Sequence, residues 1–120
     1  MTDFAGNMRE RLRKGLITAR KARDDISAAV YRSLMSVLDN ASSVPVDLSG
    51  PAMQTRGFAD VPRTVPDHQR VTELLRREHE ERISAAKEYR NHGRDQESDR
   101  LEAEAVVITR ILKEIHHEKE

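Results

Sequence analysis

The chain has 120 residues, of which 37% are hydrophobic, 35% charged and only 3% aromatic, and this predicts one domain over residues 1–120 with a thin core and polar helical surfaces. It has no cysteine, which excludes thiol nucleophiles, disulfides and cysteine-ligated zinc. No apolar run approaches the ~18 residues of a membrane span and no signal-peptide core is visible, so we expect a cytoplasmic protein with no membrane partner.

Charge is unevenly placed along the chain. Basic and acidic residues balance at 21 each, but residues 8–23 hold seven basic residues against the single acid Glu10. The C-terminal half carries an acidic surplus. A basic helix of this kind either attracts an anionic partner or pairs with acidic helices of its own domain, and the pattern alone leaves both interpretations open.

The first helix is predicted at about 8–23. Its apolar stripe steps by three and four and consists of Met8, Leu12, Leu16 and Ala19. Asn7 is a candidate N-cap, and the residues before it are expected to fray. Ile17 lies opposite the stripe, so it is expected to be exposed or to contact something outside the domain.

The second helix is predicted at about 25–41, capped by Asp24 or Asp25. Its apolar positions cover more than half of the circumference, which indicates a helix packed between others. The stretch 42–65 then loses all periodicity and holds three of the four prolines. We expect a mobile or surface-draped connection in which Met53 and Phe58 dock on the core or on a partner.

The last two helices are predicted at about 66–92 and 95–116, folded back on each other at Gly93. Asp67, after Pro66, marks the start of the first of them, with Thr64 as the accompanying capping residue, and Asp95 or Ser98 is a candidate cap for the second. The final helix has apolar positions spaced as in a coiled-coil seam, at Leu101, Ala105, Ile108, Leu112 and Ile115. The fold class predicted is therefore an all-α, four-helix bundle-like domain.

Two charged residues interrupt the apolar face of the third helix. Glu78 and Arg82 are four residues apart and fall on the same side as Val71 and Tyr89. A charged pair that faces inward needs partners, from each other or from a neighbouring helix. The pair is interpreted as a structural ion pair that sets helix register, with a polar recognition site as the alternative.

Motifs for chemistry are absent from the sequence. The five histidines include no HExxH pair, and His116 and His117 point about 100° apart on a helix, so we predict no metal site. There is no Gly-rich phosphate loop or nucleophile motif, and Glu102 and Glu104 lie on different helix faces. We therefore predict no catalytic residues and no cofactor, and favour a protein that is not an enzyme.

Several segments, taken in order, resemble the GatB/YqeY family of small helical proteins. MRERLRKGLITARKARD resembles the family's opening helix, which ends in a Lys/Ala-rich run and Asp, and YRSLMSVLDNA resembles its Leu-Arg segment with Arg32 at the arginine. Further along, the matching positions are Arg77, Glu78, Arg82, Tyr89, Gly93, Arg94, Asp95 and Glu104. The chain departs from the family at Leu101, where glutamate is usual, and at Ile111, Leu112 and Lys113 in place of Tyr-Leu-Pro.

The resemblance covers the N-terminal helical part of the family and finds no counterpart of its C-terminal tail domain. It implies a non-catalytic accessory module linked to tRNA or to tRNA amidotransferase-type function, whose family label is carbon-nitrogen ligase with glutamine as amide donor. It also singles out a set of polar motif positions, namely Arg32, Glu78, Arg82, Gly93, Arg94 and Glu104.

Together with the basic first helix, the resemblance predicts tRNA or a translation-related protein as partner. The candidate nucleic-acid-binding residues are Arg9, Arg13, Arg20 and Arg94. The alternative is a protein-interaction or self-associating helical scaffold that forms a homo-oligomer, which the seam of the last helix and the outward Ile17 favour.

Overall fold

The computed structural model describes residues 4–42 and 65–119. Over these residues the protein consists of four α-helices and has no strand. The helices are α1 (Phe4–Lys21), α2 (Asp25–Ser42), α3 (His68–Asn91) and α4 (Asp95–Lys119). The prediction of an all-α fold with four helices is confirmed for this part of the chain. The connection predicted at 42–65 lies outside the described residues except for its two end positions, and so do Thr64, Met53 and Phe58.

The first helix begins earlier than its apolar stripe predicted. It starts at Phe4, so the predicted start at residue 8 and the predicted cap at Asn7 are wrong. The reason is tertiary contact: Ala5 is 1% exposed, and the ring of Phe4 lies 4.6 Å from the ring of His68 in α3. This contact gives the first turn a buried surface that local periodicity could not reveal.

The other helix boundaries lie close to the predictions. Helix α2 ends one residue later than expected, and α3 begins at His68 and ends at Asn91, inside the predicted 66–92. Asp67 is the N-cap of α3 and accepts a hydrogen bond from the backbone N–H of Arg70 at 2.8 Å. Helix α4 continues past the predicted residue 116 to Lys119, since Ile115 is 2% exposed and anchors its final turns.

The turn between α3 and α4 is a Schellman motif. The backbone N–H of Arg94 donates to the carbonyl of Tyr89 at 2.9 Å, and that of Gly93 donates to the carbonyl of Arg90 at 3.0 Å. Gly93 has φ 75°, which a residue without Cβ adopts at no steric cost. The predicted glycine turn is therefore present. Helix α4 then begins at Asp95, whereas Ser98 lies one turn inside the helix and is fully buried.

The turn between α1 and α2 is also a Schellman motif, but the residue at its left-handed position is not glycine. The backbone N–H of Asp24 donates to the carbonyl of Ala19 at 2.8 Å, and the left-handed position is Arg23, with φ 57°. Asp24 then caps α2, because its carboxylate accepts from the backbone N–H of Ser27 at 3.0 Å and from the Ser27 hydroxyl at 2.7 Å. Of the two predicted candidates, Asp24 and Asp25, the cap of α2 is therefore Asp24.

The two turns produce two hairpins, α1–α2 and α3–α4, that pack on each other. Helix α2 contacts all three other helices, as its broad apolar arc predicted, and α3 does so as well. The core contains side chains from all four helices, namely Met8, Leu12, Val30, Leu34, Leu38, Val71, Leu75, Val107, Ile108, Ile111 and Ile115. None of the helices in the described residues is long and apolar enough to cross a membrane.

The shared turn geometry predicts that substitutions at the two left-handed positions, Gly93 and Arg23, change stability differently. We expect Gly93→Ala to lower the free energy of unfolding by about 1 kcal/mol, since a Cβ is strained at positive φ. Arg23→Gly relieves that strain while adding unfolded-state entropy, so it should leave stability unchanged or slightly raised. Urea denaturation of both variants tests this, and a loss of stability in Arg23→Gly would contradict it.

The cap at Asp24 predicts a defined pH dependence. The hydrogen bonds from the backbone and hydroxyl of Ser27 hold the pKa of the Asp24 carboxyl below its ordinary value. A carboxyl with a depressed pKa stabilises the fold above its unfolded-state pKa, and this contribution is lost as the pH falls through the folded-state value. We expect Asp24→Asn, which still accepts hydrogen bonds, to show a shallower fall in unfolding free energy on acidification. Identical acid profiles for the two proteins would contradict the assignment.

Candidate functional site

Four polar side chains from three helices meet inside the fold around the guanidinium of Arg82. Its Nη1 donates to Glu78 Oε1 at 2.9 Å within α3, and its Nε donates to Glu104 Oε1 of α4 at 2.9 Å. Its Nη2 donates to the Ser33 hydroxyl of α2 at 3.1 Å. We call Ser33, Glu78, Arg82 and Glu104 the Arg82 cluster.

The charged members of the Arg82 cluster are largely removed from solvent. The side chains of Arg82, Glu78 and Glu104 are 13%, 19% and 13% exposed. Burial by itself lowers the pKa of Arg82, but the hydrogen bonds and charges of Glu78 and Glu104 outweigh it and leave the pKa raised. The guanidinium is therefore charged at every accessible pH, and each carboxylate has a permanent partner.

The cluster follows from the sequence only in part. Glu78 and Arg82 lie one helical turn apart, and the pair forms as the spacing predicted. Glu104 comes from the opposite arm of the α3–α4 hairpin, where the turn at Gly93 brings it beside Arg82. Ser33 comes from the other hairpin, and no local pattern in the sequence signals that it joins the site.

The chemistry of the Arg82 cluster is that of a closed ion-pair network. Both oxygens of Glu104 accept from arginine, Oε1 from Arg82 and Oε2 from Arg100 at 3.2 Å. The charges of these two arginines and of Glu78 and Glu104 sum to zero. The groups hydrogen-bond one another across α2, α3 and α4, so this arrangement fixes the relative position of three helices.

The other positions that the resemblance singles out, Arg32, Gly93 and Arg94, lie outside the Arg82 cluster. Arg32 is exposed on α2, outside the Arg82 cluster. Gly93 and Arg94 form the Schellman turn, in which the Arg94 guanidinium lies 5.3 Å from the centroid of the Tyr89 ring and donates to Glu97 at 2.8 Å. The Gly-Arg motif therefore has a local structural role at this turn.

A hollow of about 460 Å³ lies beside the same turn. It is lined by Ala85, Glu88, Tyr89, His92 and Arg94. Two of its polar side chains have partners within the chain, since His92 Nδ1 donates to the Glu88 carbonyl at 2.8 Å and Arg94 pairs with Glu97. The cation of this hollow is therefore already paired with a carboxylate.

The four arginines predicted to bind nucleic acid do not form one continuous surface. Arg9 pairs with Asp39 of α2 at 2.9 Å, and Arg13 pairs with Glu10 at 2.6 Å. Arg94 belongs to the α3–α4 turn, and within the described residues no contact joins it to α1. Arg20 is exposed and forms no salt bridge in that part of the chain. Part of the basic charge of α1 is thus paired inside the domain, as one of the two interpretations predicted.

The outward side of α1 keeps a group of cations nevertheless. Arg13, Lys14, Arg20 and Lys21 are exposed around Ile17, which is 40% exposed, and we call these five residues the α1 basic face. Lys14 and Lys21 were outside the predicted set, although they also form no salt bridge within the described residues. The signal was available in the helical spacing, because Lys14, Ile17 and Lys21 share one side of the helix.

A second concave region adjoins α1 on its side toward α2 and α4. This cleft, of about 340 Å³, is lined by Gly15, Thr18, Ala19, Ala22, Asp24, Ser27, Tyr31 and Arg110. Gly15 makes room for the Tyr31 ring, because a Cβ on residue 15 would lie 2.5 Å from two ring carbons. We call it the α1–α2–α4 cleft. Nothing in the sequence signals it, because it depends on how α4 crosses the first hairpin.

Within the described residues, no three His, Asp or Glu side chains are grouped as a set of metal ligands. No protein-family model, curated protein or solved structure matches the chain. The geometry of its own residues and the sequence resemblance are therefore the grounds for a functional proposal.

The Arg82 cluster predicts a large stability loss when its cation is removed. We expect Arg82→Met to lower the free energy of unfolding by about 3 kcal/mol, because Glu78 would remain buried without a cation and Glu104 would keep only Arg100. Urea denaturation followed by circular dichroism measures this.

Arg90 provides the matched control. It also bridges α3 and α4, with Asp99 at 2.9 Å and Glu102 at 3.4 Å, but on the solvent side with 45% of its side chain exposed. Arg90→Met should therefore cost much less. Equal losses in the two variants would contradict the importance of burial.

Proposed function

We propose that this chain is a non-catalytic helical module of the GatB/YqeY type that works by binding, with tRNA as its partner. The observation that carries the proposal is the α1 basic face. Three of its cations, Lys14, Arg20 and Lys21, form no salt bridge with the described residues and are free to contact phosphates.

The distribution of acidic residues supports an anionic partner. Two acidic side chains that face α1, Asp39 of α2 and Glu114 of α4, pair with Arg9 and Arg11, at 2.9 and 3.7 Å. These pairs neutralise the inner flanks of α1 and leave its outward side positive. A protein with zero formal net charge thus presents a local positive field, which raises the encounter rate with a polyanion.

The Arg82 cluster supports a binding role in preference to catalysis. A general base needs a carboxylate that can reach a substrate proton. Glu78 and Glu104 instead accept hydrogen bonds from Arg82, and Glu104 also accepts one from Arg100. The residues that the resemblance singles out are therefore assigned to holding the helices in register.

A link to glutamine-dependent amide transfer rests on the resemblance alone. In that role the chain would assist a separate ligase by engaging tRNA. Adding the chain to a reconstituted amidotransferase reaction, and finding no change in ammonia transfer to the aminoacyl-tRNA, would remove this part of the proposal. Binding of tRNA by itself would remain.

Self-association is the second candidate, and the structure offers it little surface. The seam of α4 packs within the chain, where Ala105, Ile108 and Ile115 are at most 2% exposed. Ile17 of α1 and Val106 of α4 remain exposed. Pairing two copies through Ile17 would bring the cations of two α1 basic faces together. Light scattering over a concentration series separates the two functions, and a dimer that is stable at low salt would favour the scaffold.

The binding proposal predicts a salt-dependent affinity for tRNA. Contacts from three or four cations give a slope of about −3 in a plot of log affinity against log salt concentration. We expect the triple variant Lys14→Ala, Arg20→Ala, Lys21→Ala to lose most of this dependence and to bind much more weakly at low salt. Fluorescence anisotropy with labelled tRNA measures both quantities.

Lys87 provides a control for charge alone. It is exposed on α3, so Lys87→Ala removes a cation without touching the α1 basic face. Affinity and salt slope should then stay at the wild-type values. An absence of tRNA binding by the wild-type chain at low salt would overturn the proposal, and so would unchanged binding by the triple variant.

A further inference from the structure

The α1–α2–α4 cleft contains a cation whose N–H groups have no partner within the described residues. Arg110 of α4 lines the cleft, is exposed, and forms no hydrogen bond or salt bridge with any residue that the structure describes. This distinguishes it from Arg82, Arg90, Arg94 and Arg100, whose guanidinium groups all contact carboxylates. Its five N–H donors are available to a ligand.

The carboxylates nearest to Arg110 are already engaged. Asp24 accepts two hydrogen bonds from Ser27 as the cap of α2. Glu114, one turn beyond Arg110, lies 3.7 Å from Arg11. Arg110 attracts the Asp24 carboxylate through space and contributes to its lowered pKa, but no salt bridge joins the two groups within the described residues. The N–H donors of Arg110 therefore stay open toward the cleft.

The other groups in the cleft suit a phosphate with an attached sugar or base. Burial raises the pKa of the Tyr31 phenol, with Glu114 contributing further, so its hydroxyl stays protonated at neutral pH and is able to donate. The hydroxyl of Thr18 supplies another polar contact, while Ala19 and Ala22 give the wall an apolar part. Donors beside an aromatic ring are a combination typical of nucleotide contacts.

The cleft is continuous with the α1 basic face. Thr18 lines the cleft and lies four residues after Lys14 and three before Lys21, so all three are neighbours on the helix surface. A polyanion that contacts Lys14 and Lys21 therefore passes the mouth of the cleft.

We propose that the α1–α2–α4 cleft receives one backbone phosphate of the bound RNA and that Arg110 is the residue that holds it. This rests on the proposed function and deepens it, because it extends the RNA contact from one helix to the crossing of three. The guanidinium contacts the phosphate oxygens through paired N–H donors, and the protonated Tyr31 hydroxyl lies in the same cleft.

The test compares Arg110→Gln with the matched control Arg76→Gln. Arg76 is an exposed arginine of α3, without a salt bridge in the described residues and outside the lining of the cleft. In tRNA titrations we expect Arg110→Gln to reduce the magnitude of the salt slope by about one and the low-salt affinity by roughly tenfold. Arg76→Gln should leave both values unchanged. Equal behaviour of the two variants would overturn the assignment of Arg110.

A second measurement uses inorganic phosphate as the probe and does not depend on tRNA. Phosphate is titrated into the full-length, ¹⁵N-labelled chain at constant ionic strength, so that general screening stays fixed. We expect shifts at the Arg110 side-chain Nε–H and at the backbone amides of Thr18 and Ser27, all lost in Arg110→Gln. The absence of these shifts from the wild-type chain would overturn the phosphate site.

The two measurements separate the two proposals. Binding of tRNA without the phosphate shifts, and with a normal slope in Arg110→Gln, leaves the proposed function standing and overturns the cleft. Phosphate shifts without any tRNA binding support a phosphate site at Arg110 and overturn RNA as its source, together with the proposed function.

Discussion

One guanidinium joins three of the four helices. Apolar side chains hold α2, α3 and α4 together without fixing how far one helix is displaced along another, because hydrophobic burial is non-directional. The bonds from Arg82 to Glu78, Glu104 and Ser33 are directional and about 3 Å long. They form at only one register of the three helices, and a displaced helix would leave a buried charge without its partner. The rest of the packing depends on this constraint.

The two hairpins use the same turn and differ in the residue at its left-handed position. Gly93 adopts that conformation freely, whereas Arg23 adopts it with strain. Each turn is followed directly by a new helix, so both hairpins are tight and antiparallel. The hairpins then pack on each other mainly through α2 and α4, while α2 and α3 each contact every other helix. The outward side of α1 and the exposed Arg110 of α4 are at the periphery, where both proposed contacts with RNA lie.

A balanced net charge conceals a segregation of charge that the tertiary structure produces. Acidic residues of α2 and α4 are used in pairs with α1, through Arg9 and Arg11, and in the cap at Asp24. These pairs leave the outward side of α1 positive, and Arg110 lies in the adjacent cleft. The scaffold and the proposed binding surface are accordingly built from different residues, and Glu78, Arg82 and Glu104 belong to the scaffold.

The sequence by itself determined four helices, the turn at Gly93, the cap at Asp67 and the inward direction of Glu78 and Arg82. All of these depend on interactions within a few residues, which spacing and residue type reveal. Only the tertiary structure decided that α1 begins at Phe4, that Ser33 completes the Arg82 cluster, and that Arg110 faces a cleft. Each of these depends on the packing of segments that are far apart in the chain. The geometry at which two helices cross is set by the interdigitation of side chains from both helices, so no single stretch of sequence specifies it.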